Sequence, residues 1–184
     1  MPSFLSLRSV ARCDFVGATL AIVALCVPAS SRAQSAASLG LAAGATLPLS
    51  TYGADKNLGY HLGLVLDVRL PTDALGGRVD GTFNEMKYSG NSTKAQIWSA
   101  SANLLLKMPT SSTIAPYLIG GAGVYNSRRT LLFGSTGSTN FGFSAGGGLR
   151  YKLTDGFAFV EARYHAVSGG NDIRILPISI GIIF

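Results

Sequence analysis

The chain has 184 residues, of which 23 are glycine and only 13% are charged, and its mean hydropathy is +0.33. Soluble domains average about 25% charged residues and about 7% glycine, so this composition excludes a disordered chain and counts against an ordinary soluble enzyme. The net charge is +6, but the lysines and arginines are scattered singly apart from the pair Arg128-Arg129. Because nucleic-acid binding needs clustered cations, we predict no nucleic-acid partner.

Residues 1–33 have the order of a secretory signal peptide. Arg8 and Arg12 precede a short apolar run at 15–27, and small residues follow it. This order is typical of secretory signals, and the run is too short for a transmembrane helix. We therefore predict cleavage between Ala33 and Gln34, which leaves one domain at 34–184.

The two cysteines, Cys13 and Cys26, both fall within this predicted signal. Modification of Cys26 as a lipoprotein is the weaker alternative, because the bulky Leu25 precedes it. The mature chain would have no thiol, which excludes disulfides, thiolate metal sites and cysteine nucleophiles.

The rest of the chain alternates apolar and polar residues with the period of a β-strand. The clearest example is the C-terminal strand, in which one face carries Leu176, Ile178, Ile180, Ile182 and Phe184. We predict strands at 37–49, 58–70, 78–90, 94–108, 116–128, 140–153, 157–168 and 173–184. Connections rich in Pro, Asp and Gly, including a turn at 71–77, favour antiparallel up-and-down order. No helix is predicted, and the longest connection, 129–139, is expected to be a loop.

Charged side chains lie on the strand faces opposite the continuous apolar faces. In a soluble barrel they would face water, whereas in a membrane barrel they would fill the lumen and pair there. Eight strands leave an interior just wide enough for side chains, so we predict an all-β, eight-stranded transmembrane barrel with a packed polar lumen. The predicted interior polar network comprises Asp67, Arg69, Arg78, Asp80, Asn103, Lys107, Arg150, Lys152, Glu161 and Arg163.

Aromatic residues favour the membrane interpretation. Tyr117 and Tyr125 are eight residues apart, as are Phe143 and Tyr151. In a tilted strand this spacing spans roughly 20 Å, close to the ~25 Å apolar band between two aromatic girdles. We expect all four on the lipid-facing side. The other expected girdle residues are Tyr60, Trp98 and Tyr164 at the outer interface and Phe157 and Phe184 at the inner one.

Two features of the predicted strands need a structural explanation. Glu85 and Lys87 fall on the predicted lipid face, so the strand either has a bulge there or has already left the membrane. Glycines on the predicted inner face would allow close packing around large neighbours. These glycines are Gly40, Gly44, Gly63, Gly120, Gly146 and Gly148.

Three segments resemble the small outer-membrane β-barrel family of the OmpA/OmpX type. They are the stretches at 116–125 (PYLIGGAGVY), 161–165 (EARYH) and 176–184 (LPISIGIIF). The resemblance implies an integral outer-membrane protein of a Gram-negative envelope, exported through the periplasm. It also implies that the barrel-assembly machinery recognises the C-terminal strand ending at Phe184.

The predicted function is a structural or surface-interaction role, by a monomer, without catalytic residues, cofactor or metal. His61 and His165 are too few for a metal site, and they lack an H-E-x-x-H spacing. The glycine runs at 120–123 and 146–148 are not followed by a helix that could bind phosphate. Cations near 129–139 predict contact with outer-membrane lipids and lipopolysaccharide.

Two alternatives stay open on the sequence alone. One is a lipid-modifying outer-membrane enzyme of the lipid A deacylase or acyltransferase kind. A serine hydrolase needs its nucleophile and base within hydrogen-bond reach, whereas His165 and Ser168 point to opposite faces of a strand. The other is a soluble secreted lipid-binding barrel, although the early Gly-x-Trp expected there is missing.

Overall fold

The computed structural model describes residues 37–90, 93–131, 134–169 and 172–184. The predicted signal peptide and its cleavage site at Ala33 and Gln34 lie outside the described residues. The chain forms β1 (Ala37–Pro48), α1 (Ser50–Gly53), β2 (Gly59–Arg69), β3 (Leu75–Lys87), β4 (Lys94–Lys107), β5 (Ile114–Leu131), β6 (Gly134–Leu153), β7 (Gly156–Val167) and β8 (Ile173–Ile183).

Each strand pairs antiparallel with the next one in the chain, and β1 pairs with β8, so the sheet closes into a barrel. The prediction of an eight-stranded up-and-down barrel is confirmed. At the closing seam, Gly44 of β1 lies opposite His61 on one side and Ser179 on the other. Period-two alternation then turns one face of every strand into the lumen and the other outward.

The two ends of the barrel differ. Tight connections at 70–74, 108–113 and 154–155 lie at the same end as the C-terminal Phe184. The opposite end carries the longer connection at 49–58 and an extended β5–β6 hairpin. Outer-membrane barrels turn short connections to the periplasm and longer ones to the outside. We call these the periplasmic end and the outer end.

Two predicted connections are shorter than expected, because strand takes up part of each, and the turn predicted at 71–77 is confined to 70–74. β3 begins at Leu75, because Gly76 and Gly77 pair with the end of β2 and do not form a turn. The β5–β6 hairpin continues until Leu131 pairs with Gly134, so the prediction of a loop at 129–139 is wrong. Ser127 and Ser138 hydrogen-bond across this hairpin through their side chains at 3.2 Å, and the sequence here lacks the apolar alternation that marks a membrane strand.

The prediction that no helix is present is also wrong, because α1 is a single helical turn of four residues. Such a short turn is below the length at which helical periodicity can be read from sequence. Ser50 in α1 has a φ of 55°, a left-handed conformation that is uncommon outside glycine. No helix among the described residues is long and apolar enough to cross a membrane.

The outward face carries exposed apolar side chains, and Phe143, Tyr151, Trp98, Tyr60 and Tyr164 point outward as predicted. Tyr117 and Tyr125 do not, because both are buried in the lumen. The error arose because both faces of β5 are apolar, so hydrophobicity could not set its orientation.

Two further predictions about which side of the sheet a residue faces are wrong. Phe157 lines the periplasmic mouth of the lumen and does not face lipid. Gly120 shares the outward side of β5 with Leu118 and Val124, while Gly121 and Gly123 take the inner positions.

Glu85 and Lys87 lie at the outer end of β3, and the strand has no bulge there. Its pairing with β2 and β4 is uninterrupted through Glu85. Lys94 forms an ion pair with Glu85 at 2.8 Å, and Gln96 donates a hydrogen bond to it at 2.9 Å. Of the two alternatives, the structure therefore supports a strand that has left the apolar band.

Candidate functional site

Buried ion pairs fill the middle of the lumen. Arg78 donates from Nη1 to Glu161 Oε2 at 3.0 Å and from Nε to Asp67 Oδ1 at 2.6 Å. Arg163 donates from Nη2 to Glu161 Oε1 at 2.6 Å and from Nη1 to Asp80 Oδ2 at 2.7 Å. These alternating charges tie β2, β3 and β7 together across the barrel. Removing one partner would leave a buried charge uncompensated, which typically costs about 3–5 kcal/mol.

Neutral side chains and a further arginine extend this network. The Tyr117 hydroxyl donates to Glu161 Oε2 at 2.7 Å, and Asn103 Nδ2 donates to Asp80 Oδ2 at 2.7 Å. Arg150 Nη2 donates to Asp67 Oδ2. We call the whole set the lumen network, and its members are Asp67, Arg78, Asp80, Asn103, Tyr117, Arg150, Glu161 and Arg163.

Three of the predicted network residues are not brought into this set. Arg69, Lys107 and Lys152 lie at or near the periplasmic ends of their strands, where they line the mouth of the lumen. The lumen opens to water at this depth, so their ammonium and guanidinium groups do not need a carboxylate partner.

A layer of neutral hydrogen bonds lies between the lumen network and the outer end. His61 contacts Thr46 Oγ1 through Nδ1 at 3.0 Å and Ser179 Oγ through Nε2 at 2.9 Å. His165 Nδ1 contacts the Tyr125 hydroxyl at 2.8 Å. Thr46, Tyr125 and Ser179 were missed by sequence reasoning, although Thr46 and Ser179 share inward parity with His61 across the seam.

An apolar layer closes the lumen above the histidines. It is formed by Met86, Ile97, Val167, Ile173 and Ile175, each no more than 2% exposed, packed with the ring of Tyr125. Tyr52 of α1 packs against this layer from the outer side. The short helix therefore covers the lumen where the strands end.

Outside the apolar layer, aromatic rings hold two cations. The Lys56 ammonium is 4.1 Å from the ring centre of Tyr52 and 4.6 Å from that of Tyr88. The Arg129 guanidinium lies 4.5 Å from the ring centre of Tyr88, and Arg129 Nε donates a hydrogen bond to the Tyr88 hydroxyl at 2.6 Å. Such cation–π contacts fix the outer connections relative to one another. A hydrogen bond from Lys56 holds the pKa of Asp55 below its ordinary value.

The carboxylates and histidines of the lumen already form hydrogen bonds with neighbouring side chains. Glu161 accepts from Arg78, Tyr117 and Arg163, so it does not orient His165. The backbone amide of Ser168 bonds to the carbonyl of Phe141 at the end of β7. Among the described residues, no group of three His, Cys, Asp or Glu side chains could hold a metal ion.

A closed eight-stranded barrel with an apolar outer face and a charged lumen has the architecture of small outer-membrane proteins. The sequence matches the family described as "Outer membrane protein beta-barrel domain" over residues 17–182. The chain belongs to this family. As an outer-membrane barrel, it resides in the outer membrane with its apolar face in the lipid bilayer.

Solved structures of other outer-membrane barrels share this fold. Neisserial surface protein A is 20% identical, with a TM-score of 0.68 over 81% of this chain and 96% of that one. The Ail protein of Yersinia pestis is 13% identical, with a TM-score of 0.55 over 80% and 95%. The outer membrane enzyme PagL is 20% identical, with a TM-score of 0.57 over 80% and 98%. At these identities the similarity establishes the fold alone. A comparison with curated proteins gave no match.

Proposed function

We propose that this outer-membrane barrel is a non-catalytic, monomeric envelope protein with a structural or surface-interaction role. The observation that carries the proposal is the closed lumen. Within the described residues, the lumen network fills the middle of the barrel and the apolar layer seals it toward the outside. At the level of these two layers, eight strands enclose only enough space for the side chains, so this part of the interior serves to hold the barrel together.

A lipid-modifying enzyme is the competing function, since one of the barrels with the same fold is an enzyme. Against it, His61 and His165 are buried in the lumen and engaged by neighbouring hydroxyls, away from lipid. We expect the mass spectrum of lipid A to be the same in outer membranes with and without the expressed protein. Loss or gain of an acyl chain that depends on expression would favour the enzyme.

The proposed surface partner is lipopolysaccharide. Outward-pointing cations of the described strands all lie at the outer end, where phosphates of the outer leaflet are found. These cations are Lys87, Lys94, Arg128 and Arg174. Each cation near an anionic lipid surface contributes about 1 kcal/mol. Exposed aromatic rings, including Tyr164, which accepts a hydrogen bond from Arg174 at 3.5 Å, lie beside them.

Neutralising the outward-pointing cations of the outer end tests whether lipopolysaccharide is the partner. We expect added lipopolysaccharide to raise the unfolding temperature of the wild-type barrel in detergent, measured by the loss of its heat-modifiable gel mobility. The triple variant Lys94→Gln/Arg128→Gln/Arg174→Gln should lose most of that increase, because three of the four outward-pointing cations at the outer end are removed. Arg69→Gln, an exposed cation at the opposite end, serves as the control and should behave like wild type. Equal stabilisation of the triple variant would contradict the assignment of this partner.

The barrel-assembly machinery is the second proposed partner, through the C-terminal strand. Ile178, Ile180, Ile182 and Phe184 present a row of exposed side chains on the outside of β8. The backbone amide of Phe184 also donates to the carbonyl of Leu39 at 2.9 Å, which fixes the strand end at the seam.

We expect Phe184→Ala to lower the amount of folded barrel in the outer membrane several-fold while export to the periplasm continues. The measurement is the ratio of folded to unfolded protein in fractionated envelopes. Leu106→Ala, also an exposed apolar residue at the periplasmic end but outside β8, is the matched control. Equal assembly of the two variants would rule out a special role for the terminal residue.

A further inference from the structure

The periplasmic mouth of the barrel contains a cavity of about 350 Å³ that the proposed envelope role does not use. It lies below the lumen network and is open to the periplasmic side. Its charged lining consists of Asp67, Arg69, Lys107, Arg150 and Lys152. Four cations therefore face one carboxylate, and that carboxylate is already engaged.

The engagement of Asp67 leaves the cavity strongly positive. Its Oδ1 accepts from Arg78 Nε, and its Oδ2 accepts from Arg78 Nη2 at 3.3 Å and from Arg150 Nη2. Arg69, Lys107 and Lys152 form no ion pair with any described residue, and Asp73 in the adjacent turn is exposed. In contrast, Arg78 and Arg163 deeper in the lumen are each held by two carboxylates.

Arg150 is built into the cavity wall. Its guanidinium carbon is 5.1 Å from the ring centre of Tyr117 and 5.7 Å from that of Phe157, so two aromatic rings hold it in place. The side chain is only 8% exposed, yet its Nε has no hydrogen-bond acceptor among the described residues. A buried donor without an acceptor is costly, and a nearby oxyanion would relieve that cost.

Lys107 is positioned by a glycine. A Cβ added at Gly76 would lie 3.1 Å from Lys107 Cε and 3.4 Å from its Nζ. The absence of a side chain at Gly76 therefore lets the lysine lie across the inner wall of β3. Lys107 is half-buried there and lines the mouth of the cavity.

From these observations we propose that the periplasmic mouth binds a phosphate group. The unpaired cations suit an anion with several acceptor oxygens, and arginine beside lysine is a common combination for phosphate. The cavity is larger than one small ion, and Leu105, Phe157 and Ile183 give it apolar walls. The ligand is therefore a phosphorylated organic molecule. Its phosphate meets Arg150, Lys107 and Lys152, and its organic part contacts the apolar walls.

The test uses inorganic pyrophosphate as the probe and the folded full-length barrel in non-ionic detergent, with binding measured by calorimetry. We expect the wild type to bind. We expect Lys107→Gln/Lys152→Gln to bind roughly ten- to hundredfold more weakly, and Lys107→Arg to retain most of the affinity. Lys94→Gln/Arg128→Gln, which removes the same charge from the outer end, should bind like wild type. Heat-modifiable mobility verifies that every variant is folded.

A second pair of measurements distinguishes a soluble ligand from a lipid headgroup. The barrel is placed in phosphatidylcholine nanodiscs with and without phosphatidylglycerol. Weaker pyrophosphate binding in the discs with phosphatidylglycerol, in wild type but not in Lys107→Gln/Lys152→Gln, identifies the headgroup as a competitor at the same site. Equal binding in both discs identifies a soluble phosphorylated ligand. Absence of wild-type binding at millimolar pyrophosphate, or equal affinity in the double variant, would overturn the proposal.

Discussion

Arg163→Glu is expected to lose at least about 3–5 kcal/mol of unfolding free energy, because it removes one buried ion-pair partner and adds a like charge. Arg163 lies between two buried carboxylates, donating to Asp80 at 2.7 Å and to Glu161 at 2.6 Å. The substitution would place a third carboxylate in that position. Because the side chains of Arg163, Asp80 and Glu161 are each no more than 9% exposed, solvent would screen the three charges poorly, and the barrel would have to open or protonate them.

Urea titration of the detergent-refolded protein, followed by gel mobility, measures this loss. Arg69→Glu makes the same chemical change at an exposed position without an ion pair among the described residues. It should stay within about 0.5 kcal/mol of wild type. If Arg163→Glu and Arg69→Glu unfold at the same urea concentration, the lumen network does not stabilise the barrel.

Gly44→Ala is expected to hinder closure of the barrel. Gly44 sits on β1 at the seam with β8, where an added Cβ would lie 2.9 Å from the carbonyl carbon of Ile178 and 2.8 Å from His61 Cε1. The first of these contacts is with backbone, which cannot rotate away. Overpacking costs about 1–3 kcal/mol where side chains adjust, and the cost should reach or exceed the top of that range here.

Gly81→Ala provides the matched control, because an added Cβ on this outward glycine of β3 would meet nothing within 4 Å. It should leave stability unchanged or slightly raised, since glycine weakens a strand interior. The two variants are compared by the folded fraction after refolding into detergent and by their urea midpoints. Similar behaviour of both would show that the β1–β8 seam is not as tight as the structure indicates.

The fold could be predicted from sequence because one-sided alternation is unambiguous in most strands. In β8, the strand period puts Ile178, Ile180 and Ile182 on one face, and the charged inner faces of the other strands place that face outside. The same rule failed in β5, where Leu118 and Val124 face outward while Tyr117 and Ile119 face the lumen. With apolar residues on both faces, only the partners of the tyrosine hydroxyls decide the orientation, and those partners come from other strands.

The contacts inside the lumen could not be predicted at all. Arg78 and Glu161 are 83 positions apart in the chain and meet only because the barrel closes with a particular stagger between strands. Sequence periodicity assigns a residue to a face but gives no depth along the barrel axis. For the same reason it placed Lys107 and Lys152 in the network, although their depth puts them in the periplasmic mouth. The contact of Lys56 with Tyr88 joins two outer connections and was likewise invisible.

The central claim is that the lumen network and the apolar layer close the lumen. Ion flux through the folded protein tests this claim most directly. The measurement is potassium efflux from proteoliposomes in which heat-modifiable mobility has verified the folded barrel. We expect efflux no faster than from liposomes without protein, and no unitary conductance steps in planar bilayers. Stable, reproducible conductance steps from the wild-type barrel would contradict it.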